Sequence, residues 1–165
     1  MNEPAINPYQ SPTSDGGSLL NLDDAGSARP LYLLYSVGSA TLAVFLGGPL
    51  AGGIIMAINY KRLGRPVAAI HAVVWTAVAT AIIMATAMMI PDEYNVPSVV
   101  FLAPQIFCMY GLAKSLQGPA IEAHRSDLGL MASAWGAAGI GLLTGVVVLV
   151  AVFAIIIAKV CIFDA

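Results

Sequence analysis

At 165 residues, with 59% hydrophobic and only 10% charged side chains, the chain is too apolar for a water-soluble domain, in which about a quarter of residues are charged. Its formal charge of −2 comes with no basic stripe, which argues against nucleic acid as a partner. The apolar residues gather into four blocks, 31–58, 67–90, 98–116 and 132–158, each near the ~20 helical residues that cross a ~30 Å hydrocarbon core. None alternates with period two, so the expected fold is all-α: a four-helix transmembrane bundle over residues 30–160, with a polar tail before it and a stub at 161–165.

Residues 1–29 are rich in Pro, Ser, Asn, Asp and Gly and are expected to be disordered, because they cannot bury enough apolar surface to fold. They lack the basic start and early apolar run of a secretory signal. The cluster Asn7-Pro8-Tyr9-Gln10-Ser11-Pro12 is turn-prone around a single aromatic.

Pro30 is placed to open the first helix. Within that block Gly47-Gly48-Pro49 interrupts the backbone ladder. The block is too short for two full crossings, so one kinked helix is expected rather than a hairpin. The second helix ends at Pro91 and the third begins after Pro97, and this short connection makes them antiparallel neighbours. After Leu116 the stretch 117–130 is polar, with Gly118-Pro119 opening at most a turn or two of interfacial helix. The last helix then runs to about Ala158.

Lys61, Arg62, Arg65, Lys114 and Arg125 fall in or beside the first and third connections, against Arg29 and Lys159 on the other side. Four crossings with this five-to-two bias put both termini outside a bacterial inner (plasma) membrane. Lys61, Arg62 and Arg65 form a collar suited to anionic lipid headgroups, with Tyr60 as an aromatic anchor. Cys108 sits deep in a span and Cys161 at a surface, so both are expected as free thiols.

Spans associate through close packing, which small residues permit. Ser39, Ala43, Gly47 and Ala51 recur at intervals of four, with Gly48 and Gly52 beside them; Ala72 and Thr76 continue such a row in the second helix, and Ala137, Gly141 and Gly145 in the fourth. The third helix carries larger residues and is expected to fill space with side chains or to face lipid.

No Asp or Glu lies in the central turns of any span, which argues against a proton-coupled carrier. Gln105, preceded by Pro104, is the most polar residue near a span centre. His71 and His124 fall on one side, with Glu122, Arg125 and Asp127 near His124, but no metal-ligand spacing joins them and no cofactor or metal is expected. The glycines of the first helix are not a phosphate loop, since no strand precedes them and no lysine follows.

Phe45-Leu-Gly-Gly-Pro-Leu-Ala-Gly-Gly53, leading to Asn59 and Leu63-Gly64-Arg65, resembles the first helix and loop of a group of small bacterial integral membrane proteins of unknown activity. Gln117, Ile121, His124, Trp135 and Ala138-Gly-Ile-Gly-Leu142 fit the same group, and the tail cluster resembles leaders on many bacterial membrane proteins. The resemblance implies a bacterial inner-membrane setting and no activity. The sequence thus points first to a non-enzymatic membrane component acting through contacts with itself or another membrane protein. A small oligomeric permeation or carrier unit around Gln105 and Pro49 is the alternative, and a membrane-embedded enzyme using His71 or His124 is the third reading.

Overall fold

The computed structural model describes residues 30–94 and 96–163; the tail at 1–29 lies outside them. Four helices, α1 (Val37–Arg62), α2 (Pro66–Met89), α3 (Val99–Ser126) and α4 (Ala134–Phe163), make up the fold, with a single 3-10 turn at Asp92–Tyr94 between α2 and α3. Each helix is long and apolar enough to cross a bilayer, so the chain is a multi-pass, all-α membrane protein.

Helix α1 reverses direction. Gly48 has φ 73° and ψ −172°, a left-handed backbone that breaks the helix into arms at 37–47 and 49–62. Tyr35 and Asn59 exchange hydrogen bonds of 2.8 and 2.9 Å, whereas a straight helix would hold them ~36 Å apart. A Cβ at Gly52 would strike Val44 of the opposite arm. At ~1.5 Å per residue the arms reach about 16 and 21 Å, and neither spans a ~30 Å core. The expected kinked helix is therefore a re-entrant hairpin. Two full crossings are indeed impossible in this block, but a hairpin that leaves by the face it entered needs none.

The hairpin is the centre of the molecule. Half of its most apolar stretch is buried inside the protein, against 11% in each of the other helices. Helices α2, α3 and α4 all pack on α1 and not along one another, which corrects the expectation that α2 and α3 are packed neighbours. The short connection fixes their antiparallel sense, while α1 stands between them.

Small residues make these contacts possible. Gly141 lies against Ala43, where an added Cβ would come within 3.0 Å of the Ala43 carbonyl oxygen, and a Cβ at Gly47 would meet the Gly141 carbonyl. One at Gly145 would come within 2.7 Å of the Leu46 carbonyl oxygen, and one at Gly53 would overlap the Thr76 side chain. Ala51 and Ala137 are fully buried at the same seams.

Two further boundaries differ from expectation. Residues 30–36 are extended, and α1 begins only at Val37, where the Ser36 side chain accepts from the Ser39 N–H at 3.1 Å. Helix α3 continues through Pro119 to Ser126 without a separate interfacial turn. Met109, Ala113, Gln117, Ile121 and His124 recur at intervals of four and three, and this mixed polar and apolar face packs inward.

Since α1 returns to its starting face, the two ends of the described chain lie at opposite ends of the bundle. We call the end that holds the hairpin's two feet the base, and the Gly48 end the tip.

Gly53→Ala should lower the midpoint of thermal unfolding in detergent, with an overpacking cost of about 1 to 3 kcal/mol. Gly139→Ala, at a position with nothing within 4 Å, should leave it unchanged. Equal melting of both variants with the parent would show that the hairpin does not pack on α2 in this way.

Candidate functional site

Polar side chains collect in two layers, at the base and at the tip. At the base, Asn59 and Gln117 are each 1% exposed. Asn59 accepts the Tyr35 N–H through Oδ1 and uses Nδ2 to donate to the Tyr35 carbonyl and, at 3.1 Å, to Gln117 Oε1. Gln117 Nε2 then donates to the Met56 carbonyl at 2.8 Å. One amide thus ties the extended segment to the second arm, and the next ties that arm to α3.

The extended segment is held from three other directions. Leu34, fully buried, donates its N–H to the Leu130 carbonyl at 3.2 Å and accepts from the Ala132 N–H at 2.8 Å, forming a bridge with Met131. Arg62 donates to the Leu33 carbonyl at 2.6 Å and lies 5.7 Å from the Tyr35 ring centroid. His124, 3% exposed, stacks on Tyr32 at 4.7 Å and bonds the Leu130 carbonyl through Nε2 at 3.0 Å. A carbonyl can only accept, so Nε2 carries the proton, and Nδ1 is buried without a partner.

At the tip Thr80 donates to the Thr76 carbonyl at 2.8 Å, and no side chain ties the turn to its neighbours as the two amides do at the base. The arms present opposite helix ends at Gly48: carbonyls closing the first, N–H groups opening the second. Pro49 supplies no donor. Gln105 of α3 stands beside this turn, its Oε1 3.9 Å from where a Gly48 Cβ would be. The described residues provide no hydrogen bond to its amide. A cavity of about 140 Å³ lies here, lined by Gly48, Pro49, Thr80, Met84, Gln105 and Val148 among others. It has room for about four waters at ~30 Å³ each, or one small solute.

The structure separates several residues that the sequence groups together. His71 is exposed on α2 in a groove beside Tyr60, whereas His124 is buried in the base lock. Among the described residues no three His, Cys, Asp or Glu side chains come together. Lys61, Arg62 and Arg65 are all exposed, and Arg62 alone of the three is tied to the chain, through its hydrogen bond to the Leu33 carbonyl. Ala72 is half-buried beside His71. Cys108 and Cys161 are free and exposed.

Asn59 and Gln117 carry the base lock, yet their sequence positions do not mark them, because each sits at the end of an apolar block where a polar residue is ordinary. Their available signal is that both are amides, able to donate and accept at once. Comparison with protein-family models, curated proteins and solved structures finds no match to this chain.

Asn59→Leu should cost about 1 to 3 kcal/mol for each buried group it leaves unpaired and should speed proteolysis ahead of Val37. A double-mutant cycle with Gln117→Leu should give a coupling energy of about 0.5 to 3 kcal/mol. Additive effects would show that the two amides act separately.

Proposed function

We propose that the chain is a small permeation or carrier unit of the plasma membrane, with the hairpin tip and Gln105 as its polar station inside the bilayer. The observation that carries this reading is the break at Gly48, because irregular backbone at membrane depth persists where protein buries it or a polar cavity meets it. Broken helices whose ends face a cavity are a recurring way to hold solutes near the bilayer centre. No Asp, Glu, Lys or Arg lines the tip cavity, which suits a small uncharged solute able both to donate and to accept hydrogen bonds. The small-residue seams, which suit contacts inside one bundle or between subunits, make contacts within the chain.

The same reading orients the protein. Lys61, Arg62, Arg65 and Arg125 belong to the base connections, and Lys114 lies nearer the base than the tip, while Lys159 lies toward the other face. This bias puts the base and residue 30 on the cytoplasmic face and the end of α4 outside.

In proteoliposomes under a glycerol or urea gradient, the protein should raise solute entry above that of protein-free vesicles. Gln105→Leu should reduce the increment about tenfold, the effect of losing one hydrogen bond of ~1.4 kcal/mol. Folded protein that adds no permeability would overturn the proposal. For orientation, an impermeant maleimide should label Cys161 in intact cells, whereas Ser126→Cys should react only after permeabilisation. Labelling of position 126 in intact cells would reverse the assignment.

A further inference from the structure

The gap between α2 and α3 reaches the tip site at Pro49, Ile83 and Gln105, which line both, and extends from there to the base. These helices do not pack together, and between them run two adjoining grooves of about 430 Å³ each, sharing Trp75, Thr76, Met109 and Leu112 in their linings. The second hairpin arm forms the floor, with Tyr60 and Met56 toward the base and Pro49 toward the tip. Along α3 the lining runs from Leu116 to Phe101, about 22 Å at ~1.5 Å per residue and longer than the ~15 Å depth of one leaflet's hydrocarbon.

The groove contains no carboxylate or permanent cation, and its base end is positive. Arg65 is the N-cap of α2, whose Ala68, Ala72 and Thr76 line the groove, so it stands at the groove's base end without lining it. Lys61 follows Tyr60 directly. Both cations are exposed, and neither forms an ion pair among the described residues, where the one such pair joins Arg125 to Glu122. Arg62, between them in sequence, is committed to Leu33. The gap is thus a narrow apolar trench with two free cations at the depth where lipid phosphates lie.

We propose that this groove is a binding site for one anionic phospholipid, an acyl chain lying between α2 and α3 and the phosphate held by Lys61 and Arg65. Recognition has two parts: the trench takes the chain, and the cations choose the headgroup. The groove meets the tip cavity at Pro49, Ile83 and Gln105, but Lys61 and Arg65 lie at the base, so variants of these two cations test lipid binding without touching the tip residues.

Trp75 lines both grooves, and the other tryptophan, Trp135, can be removed as Trp135→Phe, leaving Trp75 as the reporter. In phosphatidylcholine vesicles, a small mole fraction of phosphatidylglycerol with brominated chains should quench Trp75 several-fold more than equally brominated phosphatidylcholine. The preference should fall about fivefold for each cation removed in Lys61→Ala and Arg65→Ala. Ala72→Leu, which narrows the trench, should weaken quenching with the cations intact. Inorganic phosphate should not restore the fluorescence, since a headgroup without a chain lacks half of the recognition. Equal quenching by the two brominated lipids, or a preference that survives in the double variant with its helicity and melting unchanged, would overturn the proposal.

Discussion

A backbone that turns round inside a membrane leaves helix ends where no bulk water can satisfy them, and the other elements of this protein are arranged around that constraint. The arms of α1 are too short to cross, so they must be enclosed by helices that do. Helices α2, α3 and α4 accordingly pack on α1 and not along one another. The result is a sheath of three helices around a central hairpin, and the burial of the two hairpin arms greatly exceeds that of the surrounding helices.

Close packing on a doubled helix demands small residues on several faces of one short segment. The first arm meets α4 through Gly47 and Ala43, and the second meets α2 through Gly53, while Gly52 faces back toward Val44 and lies near Met109 of α3. A side chain at Gly47 would strike the Gly141 backbone, and one at Gly52 or Gly53 would displace the side chains of Val44, Met109 or Thr76, while lipid-tail burial provides no hydrophobic force to offset the loss. Glycine at Gly48 meets a different need, since its left-handed φ reverses the chain. The density of glycine between Gly47 and Gly53 is thus set jointly by the turn and by the partners of its two arms.

Much of this fold is legible in the sequence, and the parts that are not have a common cause. Block lengths and charge poverty give four helices, because hydropathy reports the solvent of each segment. The reversal at Gly48 is hidden because a hairpin and a spanning helix have the same apolar composition, and Gly47-Gly48-Pro49 allows either a kink or a turn. Asn59 resolves the choice only through Tyr35, twenty-four residues earlier, and such a pairing cannot be read from spacing. Helix α3 runs past Leu116 for a related reason. Gln117 and His124 look solvent-facing by type, yet they form its buried face, and the polarity expected of a loop is instead the polarity of a lock. Gln105 stands out in the sequence as a polar residue in a span; its juxtaposition with Gly48 requires the fold.

The two polar layers differ in a way that bears on function. At the base, the side-chain amides of Asn59 and Gln117 are paired, and the extended segment is fixed by Arg62, Leu34 and His124, so it behaves as a closed structural clasp. At the tip, Gln105 and the two helix ends face a cavity with no side-chain partner among the described residues. A membrane protein can leave polar groups unmatched at such depth only if something outside the chain matches them, water or a solute. The base, where the amides of Asn59 and Gln117 are paired and His124 Nδ1 alone is buried without a partner among the described residues, therefore supplies rigidity, and the chemical opportunity lies at the other end, where Gln105 stands beside the break that makes the hairpin.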